Sequence, residues 1–210
     1  KRNLEDCISL CHKCHSKYDR EYRKSAAITG GSAGIGLAIK KALEEKGYKV
    51  KSFSRREGYD VTKDEDILKI IEEAKNYPIL INNVGGGGTW KYPDSWRTMR
   101  KNHEVTMWIT EEWLKEKPIK GRVITITSIF GKEKGENAFF TVTKAAQIAY
   151  MKSQAGKYEG ITFNSIAPGH IDVGKPFLDK PVIIGKPEDV ANIVTFLCSD
   201  LARHINGACI

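Results

Sequence analysis

No apolar run in the 210 residues approaches the roughly 18 to 20 positions that a membrane-spanning helix requires. A helical span is therefore not expected, and the chain reads as a soluble, cytoplasmic protein. The opening residues KRNLEDC lack the basic, apolar, small-residue order of a secretory signal, which points the same way. Cysteine is missing from the whole middle of the chain: Cys7, Cys11 and Cys14 crowd the start, and Cys198 and Cys209 stand near the other end. Such spacing does not make a disulfide framework and suits metal binding better. Internal repeats and low-complexity segments are also lacking, so solenoids and fibrous folds drop out. What is present is ordinary for one well-buried α/β domain, with 40% hydrophobic and 29% charged residues, and the length is too short for two such domains. The net charge of +8 suits nucleic acid, an anionic cofactor or plain solubility, and does not choose among them.

Texture changes sharply near Lys24. Residues 1–24 are polar, basic and cysteine-rich, ending in KYDREYRK, and are read as an extension. Residues 25–210 alternate short apolar strands with amphipathic helices. The predicted order is SAAIT, helix 34–46, YKVKSFS, helix 63–75, PILINNV and a helical stretch over 95–115. It continues with GRVITITS, helix 141–157, ITFNSIAP, helix 187–199 and a terminal GACI strand. Strict alternation predicts a Rossmann-like, doubly wound parallel sheet with helices on both faces.

The turn TGGSAGIG (29–36) follows the first strand and opens the first helix, the context a dinucleotide loop needs. Gly30 permits a tight turn, Gly34 lets the backbone approach a pyrophosphate, and Gly36 allows close packing of helix on strand. Ser32 and Ile35 complete the predicted contacts of this loop. The second strand ends SFSRREGYD, with Arg55 and Arg56 where an acidic residue would hold the ribose of NAD. Two guanidinium groups there pair with a 2′-phosphate, so NADP(H) is expected in preference to NAD(H).

The spacing T-G-x-x-x-G-x-G resembles the short-chain dehydrogenase/reductase family, and further landmarks recur in order. Asp60-Val61 matches the pair that contacts adenine. Asn83 and Gly85 lie in NNVG, which matches N-N-A-G, and Asn102 sits at the place of the family's helical asparagine. TSIFG supplies Ser128, and PGHI brings Pro168, Gly169 and Ile171 beside the nicotinamide. FTVTK matches Y-x-x-x-K except at its first position, where Phe140 stands four residues before Lys144. The resemblance implies an oxidoreductase that moves a hydride between the nicotinamide and a small carbonyl or alcohol. It further implies that Lys144 holds the nicotinamide ribose, Ser128 bonds the substrate oxygen, and Asn102 steadies a water of the proton relay.

Phe140 can neither donate nor accept a proton, so turnover is expected to be low while cofactor binding survives. Phe139 is one position too early and faces elsewhere on a helix. The phenylalanine fits a deliberate replacement, a cofactor-binding relative without turnover, or an enzyme with another donor such as His170. A non-catalytic NADP(H)-binding or nucleic-acid-associated protein on the same scaffold is the alternative. Val173 stands where the family commonly has a threonine for the carboxamide. The short link before Asp60 predicts a missing or reduced crossover helix and a trimmed sheet edge, and the brief segment after Pro168 predicts a small lid. Trp108 and Trp113 are expected as core or interface anchors, Trp90 and Trp96 nearer the substrate. Family habit implies a homodimer or homotetramer, and a D-G-G ending beyond NGACI that supports it.

The extension NLEDCISLCHKCH resembles the second half of an HNH-type nuclease finger, through Asn3, Cys11, Cys14 and His15. The half that would carry catalysis is not in this sequence, so nuclease activity is not implied; nucleic acid is not among the expected partners, although a basic tail that contacts it stays open as a reading of the extension. Cys11 and Cys14 are candidate zinc ligands, with Cys7 or His15 to complete the site. CHKCH also fits the haem-attachment pattern, and an ordinary reduced extension stays open beside both.

Overall fold

The computed structural model describes residues 24–86, 94–116, 118, 120–135, 137–174 and 183–210. Five short runs rich in isoleucine, valine, alanine and phenylalanine form strands: β1 (Ser25–Thr29), β2 (Lys49–Phe53), β3 (Ile79–Asn82), β4 (Gly121–Ile126) and β5 (Ile161–Ile166). All pair in parallel, in the order β2-β1-β3-β4-β5. Strands buried on both faces tolerate continuous apolar sequence, and the four residues of β3 are all buried.

Alternate side chains divide the core in two. Ile28, Ile81 and Ile124 pack with Ile39 and Leu43 of helix α1 (Gly34–Glu45) and with Val190 and Val194 of the last helix. Their neighbours Ala27, Leu80 and Val123 face the other side. There they meet Ile67 and Ile70 of α2 (Asp64–Ala74), Ile109 and Trp113 of the helix after residue 104, and Met151 of the helix before β5. From β1 the chain turns one way to β2 and later the other way to β3, which leaves a crevice at the carboxyl ends of β1 and β3.

The stretch predicted as one helix over 95–115 is three pieces: α3 (Asp94–Met99), a π-helical turn (Arg100–Glu104) and α4 (Val105–Lys115). Helix α5 (Ala138–Gln154) starts earlier than predicted because Asn137 caps it, its side chain accepting from the Phe140 N–H at 3.0 Å. Helix α6 (Pro187–Cys198) begins with proline, whose missing N–H is no loss at that position. The predicted GACI segment lies along β5: the Gly207 N–H donates to the Phe163 carbonyl at 2.7 Å, Ser165 N–H to the Ala208 carbonyl at 2.9 Å, Ile210 N–H to the Ser165 carbonyl at 3.1 Å and Ala167 N–H to the Ile210 carbonyl at 2.6 Å, around a parallel bridge of Ser165 with Cys209. The trimmed edge is present. Between β2 and Asp60 there is only the 3-10 turn Arg55–Glu57, and β2 is the outermost strand.

Trp113 is fully buried and donates its indole N–H to the Tyr77 carbonyl at 3.0 Å, so it is a core anchor. Trp90, residues 175–182 of the expected lid, and the extension with Cys7, Cys11, Cys14 and His15 lie outside the described residues. No described helix is long and apolar enough to cross a membrane.

Candidate active site

The glycine turn closes over the crevice. Gly30 takes φ +75°, a left-handed conformation that side chains resist, and its N–H donates to the Phe53 carbonyl at 2.7 Å. Gly36 is forced by contact: a Cβ there would fall 2.1 Å from the Gly30 carbonyl oxygen and 2.5 Å from Asn83 Nδ2. Asn83 clamps the turn by donating to the Thr29 and Gly30 carbonyls, each at 3.1 Å. Thr29 Oγ1 returns the clamp, accepting from the N–H groups of Asn83 at 3.0 Å and Val84 at 3.1 Å. Helix α1 starts behind this turn at Gly34 with no side-chain cap and no acidic residue in its first turn. Its first N–H groups therefore face the crevice without a protein acceptor from the cap, which suits a phosphate group. Ser32 and Ile35 flank Gly34 in the same turn and helix start.

At one end of the turn, Arg56 Nη1 donates to the Ser32 carbonyl at 3.2 Å, while Arg55 is exposed beside it. Asp60 is held by the N–H and hydroxyl of Thr62 at 3.0 and 2.8 Å, and these bonds pull its carboxyl below the usual range. Val61 is buried next to it.

The other end gathers the residues predicted for chemistry. Lys144 is 3% exposed, and its Nζ donates to the Ile126 carbonyl at 3.1 Å, at the end of β4. Burial, with a lesser push from the charge of Lys101, lowers its pKa to about 8. Its Nζ lies 5.7 Å from the centroid of the Phe140 ring, one helical turn away on the same face. Ser128, two residues beyond Ile126, is buried and caps the 3-10 turn Ile129–Gly131, its Oγ accepting from the Phe130 N–H at 3.3 Å. That bond leaves the hydroxyl proton free to donate.

Asn102 sits inside the π-helical turn with no exposed surface. Its amide clasps Gly86, accepting from the Gly86 N–H at 2.9 Å and donating to the Gly86 carbonyl at 3.1 Å. Its own carbonyl accepts from Thr106 Oγ1 at 2.9 Å and from Gln147 Nε2. A Cβ at Gly85 would lie 2.7 Å from Asn102 Oδ1 and 3.0 Å from Lys144 Nζ, so Gly85 brings the two together. The PGHI loop docks through the Pro168 carbonyl, which accepts from Ile129 N–H at 2.9 Å, and Gly169 is exposed. Ile171 bridges to Gly185, and Val173 leans over the glycine turn, 3.4 Å from a Cβ at Gly34. His170 stands edge-on to Phe130 with centroids 5.9 Å apart.

Phe140, Lys144, Asn102 and Gly85 thus converge, with Ser128 two residues beyond the Ile126 carbonyl that holds Lys144, while Arg55, Arg56, Asp60 and Val61 lie beyond β2. Sequence reading missed Thr29, Gln147 and Glu57; Thr29 at least is visible as the residue that opens the glycine motif. Among the described residues no group of three His, Cys, Asp or Glu side chains is placed to hold a metal. A hollow of about 1520 Å³ opens at the opposite end of the sheet, against Tyr48, Pro78, Gly121 and Arg122. It is remote from the carboxyl ends of the strands, where ligands bind in such sheets.

This parallel sheet, with a glycine turn at the carboxyl ends of β1 and β3, defines the Rossmann-like class of folds. The chain belongs to the short chain dehydrogenase family, whose model matches residues 57–175. An acetoacetyl-CoA reductase of Shinella zoogloeoides is 30% identical over 230 aligned positions, covering 88% of this chain and 95% of that protein. A 3-oxoacyl-[acyl-carrier-protein] reductase FabG of Rickettsia felis is 31% identical over 225 positions, covering 88% and 92%. Among solved structures, gox2181 superposes with a TM-score of 0.78 at 24% identity, covering 91% of this chain and 96% of that one. A blue fluorescent protein from a metagenomic library, in complex with NADPH, gives 0.77 at 23%, covering 89% and 95%.

Proposed function

We propose that the chain is an NADP(H)-dependent oxidoreductase acting on a small carbonyl or alcohol, with turnover held low by Phe140. The observation that supports this reading is Lys144: a buried ammonium against Gly85, 5.7 Å from the Phe140 ring, which stands at the position the family resemblance gives to a proton-transfer group. The cradle residues fit a dinucleotide, since Gly36 leaves no room for a side chain and the start of α1 is uncapped. Arg55 and Arg56 would take the 2′-phosphate, Asp60 and Val61 the adenine. Lys144, Asn83, Gly85, Pro168, Gly169 and Ile171 would surround the nicotinamide half. When bound, the nicotinamide supplies or accepts the hydride. Ser128 would donate a hydrogen bond to the substrate oxygen and polarise the carbonyl, keeping its own proton, and Asn102 would hold the Gly85–Gly86 backbone in place. Two related reductases act, by name, on 3-oxoacyl thioesters, and that class is the first to try here.

The test is NADPH oxidation against a panel of 3-oxoacyl thioesters, for the natural chain and for Phe140→Tyr. A rise of about 10² to 10⁴ with the restored phenol supports the reading. No gain with any substrate, alongside saturable NADPH binding, would favour a binding protein without turnover. A homodimer or homotetramer is the assembly we expect, to be read by sedimentation.

A further inference from the structure

The nucleotide rim holds a carboxylate that the sequence does not mark. Glu57 ends the 3-10 turn after β2, and its Oε2 accepts from Ser52 Oγ at 2.7 Å and from Ser54 Oγ at 2.6 Å. The serines stand two positions apart in extended chain, so both hydroxyls emerge on one face. Both are buried, with 4% and 6% of their surface exposed. Ser52 Oγ lies against the glycine turn, since a Cβ at Gly31 would fall 2.5 Å from it. Arg56 reaches the same turn through the Ser32 carbonyl, yet no ion pair joins Glu57 to Arg55 or Arg56 among the described residues. Turn, hydroxyls and carboxylate are one chain of contacts, and the carboxylate is fixed by neutral donors rather than neutralised by a cation.

We infer that Glu57 is a specificity-determining residue of the nucleotide site, narrowing the preference for NADP(H) over NAD(H). The inference rests on the nucleotide-binding reading above. A 2′-phosphate needs donors and positive field. Here the two serine protons already point at Glu57, and its charge opposes the field of Arg55 and Arg56. A ribose without the phosphate presents hydroxyls that can donate to the carboxylate's remaining lone pairs, as acidic residues in dinucleotide sites do. The same carboxylate thus weakens one nucleotide and aids the other.

Equilibrium titration of the protein with NADPH and with NADH, followed by nucleotide fluorescence, tests this without any turnover. The natural chain is expected to bind NADPH less than about tenfold more tightly than NADH. Glu57→Gln keeps the shape and removes the charge, and is expected to raise the NADPH-to-NADH affinity ratio about tenfold, less so at high salt. Glu57→Lys is expected to raise it further. A ratio unchanged within about twofold in both variants, or displaced towards NADH, overturns the role of Glu57 and leaves nucleotide binding standing. If the natural chain binds neither nucleotide, the reading of the whole site falls with it.

Discussion

The two ends of the crevice differ in completeness. At the glycine turn every contact closes on another: Gly36 against the Gly30 carbonyl, Asn83 across Thr29 and Gly30, and Thr29 Oγ1 back onto β3. At the Lys144 end the ammonium has, among the described residues, one backbone acceptor and the ring of Phe140, a hydrocarbon that can neither give nor take a proton. Under the proposed function binding and chemistry are therefore separable, because none of these contacts of the turn involves residue 140.

The sharpest way to break that contrast is Phe140→Tyr. It is expected to increase carbonyl reduction by about 10² to 10⁴ while leaving NADPH affinity within about twofold, measured by steady-state rates and by fluorescence titration on the same preparation. A parallel change in affinity would mean that the two ends are coupled after all.

Gly36→Ala attacks the other end. Its Cβ would sit 2.1 Å from a backbone oxygen, so the turn must move, and nucleotide affinity should fall by at least about thirtyfold. Urea unfolding should show a loss of about 2 to 3 kcal/mol.

Lys144→Met should act in the opposite sense on stability. Burial holds the folded pKa at about 8 against an ordinary 10.5, so below pH 8 the folded state carries the full penalty of a buried charge. Stability of the natural chain should rise between those two values, where the unfolded state binds the extra proton. The methionine variant is expected to gain about 1 to 3 kcal/mol at pH 7, with the advantage shrinking as pH passes 8 towards 10.5. Equal stability of the two proteins across that range would show that Lys144 is better solvated than its surroundings imply.

The smallest effect belongs to Asn137→Ala, which removes the cap of α5 and should cost about 1 kcal/mol in chemical unfolding. It should also loosen the turn that carries Phe140, and so lower the gain from Phe140→Tyr when the two changes are combined.

Much of the fold is legible in the sequence because parallel strands buried on both faces write themselves as short apolar runs, as in ILIN at β3. The glycine spacing was equally plain, since only a residue without a side chain satisfies the contacts at positions 30 and 36. The π-helical turn was not legible: RKNHE has no feature that separates it from an ordinary helix, and tertiary clamps on Asn102 accompany it. The end of the chain was legible, since GACI has the composition of a strand and runs along β5 through backbone bonds from Gly207 to Ile210. Glu57 was hidden for another reason. Two serines and a glutamate are common surface residues, and only the turn after β2, which brings Glu57 back to Ser52 and Ser54, makes them one cluster.

The trimmed sheet has a consequence for behaviour at high concentration. Among the described residues β2 is outermost, and the backbone groups of its outer side pair with no described strand. Lys49 and Lys51 punctuate that ribbon, and Lys51 is pinned by Glu73 at 2.7 Å and lies over the ring of Tyr59. A foreign strand docking there would have to displace or bury two charged side chains, Lys49 and Lys51. The shortened edge thus comes with its own guard against self-adhesion.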